Sequence, residues 1–249
     1  MTAALVRRTA LTVVRVPALI LSPVLMSAFF LLVYSGQLGA AGGTMLGGAS
    51  YLVFIVPLVL LTTAFNGGAV AGQLLVRDMG SGYHRRLLLS RAGRGRLVAA
   101  PLVMGAVVLA LQSALIVSTA LLLGMREASA GQLGALIAGT TAAGVGFSLL
   151  GAAAAILWET DAAVSSTVMV FFPLSFLTSA FAPREDLTGW MGVVATANPL
   201  TYLLEGLRSV GGAVAPAGAV GPASVTLVGL LLVGTAACAW AFRRAEAAR

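Results

Sequence analysis

The chain has 249 residues, 59% of them hydrophobic and only 9% charged, with a formal net charge of +7 and a mean hydropathy of +1.00. A globular protein carries about 25% charged residues, so this composition cannot clothe a water-facing surface; it excludes a soluble domain and makes lipid the natural solvent. The positive charge is confined to particular connections, which points to membrane topology rather than to a nucleic-acid surface.

Six stretches are apolar and long enough to cross a bilayer as helices of about 20 residues: 17–34, 51–72, 97–124, 133–158, 162–182 and 223–242. The predicted fold is therefore all-α: a single polytopic membrane domain, 1–249, with six transmembrane helices. Residues 1–16 carry Arg7, Arg8 and Arg15 ahead of the first run. That run is too long for an ordinary signal-peptide core and lacks an A-x-A cleavage site, so it reads as a retained span. The second run holds Ala64, Gly68 and Gly72 at four-residue spacing, with Asn66 among them. Small residues at that spacing let helices approach closely in lipid.

The connection 73–96, QLLVRDMGSGYHRRLLLSRAGRGR, mixes charge with Leu87, Leu88 and Leu89 and is punctuated by Gly80, Gly82, Gly93 and Gly95. A loop that only sets topology needs no apolar insert, whereas a short helix docking into a groove on a soluble partner needs both elements. The third run contains Gln112. The fourth contains two small-residue triplets, Ala135–Gly139–Ala143 and Ala138–Ala142–Gly146, and ends at an acidic turn with Glu159 and Asp161. That turn is either a solvated junction or a contact for a basic partner. Asn66 and Gln112, polar inside apolar runs, are expected to bond between helices or to line a substrate path.

The connection 183–222 carries NPLTYLLEGLR, 198–208. Leu200, Leu203, Leu204 and Leu207 form one helical stripe, with Thr201, Glu205 and Arg208 on the other face. Asn198 suits the N-cap and Pro199 the first helical position, where no N–H is needed, and Gly211–Gly212 stop the helix. The pattern predicts an interfacial or part-inserted helix backed by Glu205 and Arg208. The last run holds the lone cysteine, Cys238, which fits a small buried hydrophobe.

Arginine placement sets the expected orientation. Twelve of the fifteen arginines lie before run one, between runs two and three, or after run six, leaving Arg126, Arg184 and Arg208 in the alternate connections. Both termini are then cytoplasmic and 183–222 external.

All fifteen basic side chains are arginine. A phosphate-binding P-loop requires a lysine, so the chain carries no such ATPase site. His84 is the sole histidine with no cysteine near it, which leaves no metal or catalytic constellation. None of the six runs holds an ionisable residue mid-span, whereas ion-driven carriers commonly use such groups as relays. Energy for transport would have to come from outside the bilayer. A scaffold without a transport cycle and a secondary carrier are the competing classes.

These features resemble the type-2 ABC exporter permeases, and within them the daunorubicin-resistance branch of bacterial drug-efflux permeases. The resemblance spans essentially the whole chain. It is most specific over 171–208, where Phe172–Pro173, Pro183, Trp190, Asn198–Pro199, Glu205 and Arg208 follow the family's order. A second signature is Arg77-Asp78-Met79-Gly80, then Arg85, Arg86-Leu87-Leu88 and Ser90-Arg91, with Ala92 where the family often has proline. The resemblance implies a homodimer in the bacterial plasma membrane working with two copies of a separate ATPase, which binds ATP and Mg2+; this chain needs no cofactor. It implies that 1–16 forms an amphipathic segment along the inner leaflet. Residues 73–96 would contain the helix that couples to the ATPase, and 183–222 re-entrant helices at the exit, with Glu205 and Arg208 near the outer polar boundary and pairing with each other or across the dimer. The cargo would be a hydrophobic, drug-like molecule, with a lipid or lipid-linked polysaccharide as the alternative.

Overall fold

A computed structural model describes residues 18–80, 94–126 and 128–247. Among them are helices and connections and no strand. The helices are α1 (Ala18–Met45), α2 (Tyr51–Gly80), α3 (Arg94–Leu122), α4 (Ala130–Trp158), α5 (Asp161–Met169), α6 (Phe171–Phe176), α7 (Gly189–Ala197), α8 (Pro199–Val210) and α9 (Val220–Ala247), with a single 3-10 turn at Arg184–Asp186. Four stretches, Tyr51–Gly80, Val98–Leu122, Ala130–Trp158 and Val220–Ala245, are long and apolar enough to cross a membrane; Leu21–Gln37 and Asp161–Phe176 are shorter apolar helices.

The centre of the bundle is α2, whose apolar window is nearly enclosed by its neighbours, whereas that of α9 is mostly exposed. The small residues explain the close pairings. A Cβ on Gly68 would stand 2.7 Å from Phe147 Cβ, and one on Gly72 would stand 2.7 Å from the Gly151 carbonyl oxygen. Only hydrogen fits at either place. The register 68/147 and 72/151 rises together, so α2 and α4 run parallel. The two triplets in the fourth run serve other neighbours: Gly139 faces Leu207 of α8 and Gly146 faces Leu230 of α9. Between α1 and α2 the glue is polar, a buried 2.9 Å hydrogen bond joining the hydroxyls of Ser27 and Thr63.

Side chains of α1, α3 and α9 such as Leu25, Phe29, Val107, Leu111, Val225 and Leu232 face outward. An apolar exterior of this extent needs lipid or another apolar partner to cover it.

Local chemistry sets the helix ends. Ser129 and Gln132 form a reciprocal capping box at the start of α4, with Gln132 Oε1 accepting from the Ser129 N–H at 2.7 Å, which satisfies donors that no preceding turn can. At the junction after α4, Glu159 is in the left-handed region (φ 54°) and Thr160 caps α5. Glu159 and Asp161 are both exposed.

The fifth apolar run departs from the single span expected over 162–182. The chain breaks between α5 and α6, helix ends at Phe176, and Leu177 leads into turns up to the Arg184–Asp186 turn. The run is uncharged throughout, but the backbone polar groups of the turns find partners elsewhere.

Candidate functional site

Two features stand out: a groove along the flank of the bundle, and a polar cluster at one end of it. The groove has a volume of about 440 Å3 and lies between α1, α2 and the α5–α6 pair. From α1 it takes Ser22, Pro23, Met26, Ser27 and Phe30. From α2 it takes Thr62, Asn66, Ala69 and Gln73, and from α5 and α6 Ser165, Val168, Met169 and Phe172. None of these is charged. The polar lining is hydroxyl and amide only, set among methyl, thioether and aromatic groups, as in pockets for small amphipathic molecules. Asn66 is exposed and donates to the Thr62 carbonyl within its own helix at 2.9 Å. A primary amide has a further N–H and a carbonyl to offer a ligand. Gln73 reaches Ser165 across the groove at 3.5 Å.

Asn66 therefore lies on the groove and bonds within its own helix. Gln112 has no place on the groove: it is fully buried, its Oε1 beside Gly67 where α3 crosses α2. Thr62, Gln73 and Phe172 were not singled out in the sequence as groove residues. A signal existed for two of them, because 62, 66 and 73 recur at helical spacing on one face of α2.

The polar cluster is built by α8. Asn198 caps the helix, Oδ1 accepting from the Leu200 N–H at 3.0 Å, with Pro199 in the first helical position. The Asn198 amide also donates to the Leu174 and Leu177 carbonyls at 2.7 and 3.0 Å. Arg208 is 1% exposed. Its Nε donates to the Phe54 carbonyl at 3.1 Å, one terminal nitrogen to the Ser179 carbonyl at 2.6 Å and the other to the Ala180 carbonyl at 2.7 Å. Its guanidinium lies 3.5 Å from the Phe54 ring centroid, a cation–π contact in a desolvated setting.

Glu205, also buried, accepts from Arg184 through both carboxylate oxygens and from the Ser179 hydroxyl at 3.1 Å. Glu205 and Arg208 thus bond no part of each other but meet at Ser179, whose hydroxyl donates to Glu205 while its carbonyl accepts from Arg208. Thr201, Glu205 and Arg208 are all buried, so the polar face of this amphipathic helix meets protein rather than water. Arg184 and Ser179 were not singled out as site residues, because their partners are remote in sequence.

Beside this cluster a cavity of about 230 Å3 is bounded by Pro183, Arg184, Glu185, Glu205, Arg208 and the 214–217 connection. Trp190, on α7, is largely exposed. At the opposite end of the bundle, Arg77, Asp78 and Gly80 form the last turn of α2, with Arg77 and Gly80 exposed. The rest of the expected coupling segment, Arg85, Arg86, Leu87, Leu88, Ser90 and Arg91, lies outside the described residues, as does 1–16.

Comparison with known proteins follows the same lines. The model of the ABC-2 type transporter family matches residues 2–210. The transport permease ycf38 of Pyropia yezoensis is 25% identical over 211 residues, covering 82% of this chain and 72% of its own. The daunorubicin resistance ABC transporter permease protein DrrB1 of Streptomyces coeruleorubidus is 26% identical over 197 residues, covering 78% of this chain and 69% of its own. The all-helical bundle, its apolar exterior and a family match over most of its length lead to one conclusion: this chain is a multi-pass membrane protein that belongs to the ABC-2 type transporter family.

Proposed function

We propose that the chain is the membrane-spanning subunit of an ATP-driven exporter, moving a hydrophobic or amphipathic molecule of drug-like size outward through the groove between α1, α2 and α5–α6. The observation that carries this reading is the groove itself: a 440 Å3 space lined by hydroxyls, amides and apolar groups, with no ionisable side chain among its residues. Such a lining suits an uncharged or weakly polar cargo, and it offers no proton or ion relay of its own. The name of the Streptomyces relative, a daunorubicin resistance permease, favours an aromatic, drug-like cargo over a lipid-linked sugar. Energy then comes from a separate ATPase, two copies to a homodimer of permeases. The arginine distribution favours an orientation with both termini and 73–96 on the ATPase's side of a bacterial plasma membrane. Residues 73–96 make the coupling contact, and α7 and α8 lie at the exit.

The test is biochemical. Purified alone, the chain is expected to hydrolyse no ATP. Purified gently from native membranes, it is expected to bring with it an ATPase subunit whose turnover is stimulated by daunorubicin. Intrinsic ATP hydrolysis by the isolated chain would overturn this division of labour, and so would native purification that yields the permease without any ATPase.

A further inference from the structure

The end of the fifth apolar run poses a hydrogen-bonding problem. Helix stops at Phe176, so the last carbonyls of α6 and those of the following turns have no helical N–H to accept from. In a non-aqueous setting each needs another donor; Leu174 takes one locally from the Leu177 N–H at 3.2 Å and Ser175 one from the Thr178 hydroxyl at 2.6 Å, and more distant side chains complete the set. The N-cap and polar face of α8 supply such donors: Asn198 serves Leu174 and Leu177 and Arg208 serves Ser179 and Ala180, while Glu205 accepts from the Ser179 hydroxyl. Arg208 also reaches Phe54 near the start of α2, tying the turn to the central helix.

The clasp connects to the groove through rings. Ala180, held by Arg208, is followed by Phe181, which meets Phe176 at 5.9 Å and Tyr34 at 5.4 Å. Phe176 meets Phe172 at 5.1 Å, and Phe172 meets Phe30 at 6.2 Å. Phe172 and Phe30 are walls of the groove. Contacts at these separations favour particular mutual orientations, so the position of one end constrains the other.

We propose that Asn198 and Arg208 are positioning residues for the groove: by holding the broken end of the fifth run they set where α6 and its aromatic wall stand. The role of the groove rests on the function proposed above; the mechanical link does not. Arg208 suits this task because a planar fork reaches carbonyls in several directions at once, which a lysine ammonium on a flexible stem does not match.

The test reads geometry directly. In a Cys238→Ala background, Met169→Cys places a thiol on the groove beside the break, and Val103→Cys places one on the exposed face of α3 as control. Maleimide labelling rates are measured in membranes, with Asn198→Ala or Arg208→Lys added. The Met169→Cys rate is expected to change by about five-fold or more, the shift that losing one net hydrogen bond brings, while the control stays within about two-fold. A Met169→Cys rate within about two-fold of its parent in protein that inserts normally would overturn the proposal. Should either variant fail to accumulate, Ser179→Ala, which deletes one hydroxyl held by Glu205, decides by the same criterion. A separate arm tests the groove itself: daunorubicin is expected to slow labelling of Met169→Cys in the otherwise unaltered chain. Lack of protection with an intact clasp effect would reject the groove as the drug's path while leaving the positioning role standing.

Discussion

Replacing Arg208 with glutamine is expected to destabilise the folded chain by about 3–5 kcal/mol, because two to three buried carbonyls each lose a donor at roughly 1–3 kcal/mol apiece. The side chain is 1% exposed, so water cannot take over its bonds. The Phe54 ring also loses its cation. Glutamine has one amide and a shorter reach, and it cannot serve Phe54, Ser179 and Ala180 together. Unfolding in mixed detergent micelles, followed by tryptophan fluorescence, measures the effect. Arg208→Lys should fall between glutamine and the native chain. A glutamine variant within about 1 kcal/mol of the native chain would mean that the turn finds other donors and that the clasp is dispensable.

The second large effect is on association. Arg85→Glu combined with Arg86→Glu reverses two charges in the segment proposed to dock on the ATPase. Like-charge contacts at an interface cost several kcal/mol, so binding is expected to weaken about 100-fold or more. The same reversal at Arg243 and Arg244, which lie in the last turns of α9, should leave binding within about three-fold of the native chain. Pull-down of the ATPase by each tagged permease, quantified against permease recovered, reads both. Undiminished binding by the Arg85/Arg86 variant would remove 73–96 from the coupling contact.

What could be read from residue order depended on whether the deciding partner was near or far in sequence. Asn198–Pro199 marks a helix start through local chemistry alone, and Asn198 is the N-cap of α8. The left-handed Gly212, φ 76°, is a local stop of the same kind. The stripe Ala64–Gly68–Gly72 pointed to a close contact, and Gly68 and Gly72 make one. Which helix they meet depends on Phe147 and Gly151, and spacing alone cannot name a partner so far along the chain.

The polar face of α8 was legible as a pattern and misleading as an environment. Thr201, Glu205 and Arg208 alternate with leucines as in a helix at a water boundary. Hydropathy cannot distinguish water from backbone carbonyls and an aromatic ring supplied by residues 28 to 154 positions away. The break in the fifth run escaped detection for the complementary reason. Residues 170–182 contain no charge, and their turns are satisfied by side chains that follow some 20 to 30 positions later. A break in an apolar run and the amphipathic helix that heals it are one structural feature, visible only when both are placed together.

The groove shows the same division. The hydroxyls and amides of 62, 66 and 73 share one face of α2, but only the arrival of Phe172 and Ser165 opposite them makes that face a pocket. Gln112, equally polar and equally deep in an apolar run, instead packs between α3 and α2 beside Gly67.

The central claim is that transport is powered from outside this chain. Inverted membrane vesicles containing the permease with its ATPase would be given daunorubicin, whose fluorescence reports uptake. Uptake that requires ATP and persists when a protonophore abolishes the proton gradient is the predicted result. Uptake that survives ATP depletion and collapses with the proton gradient would contradict it.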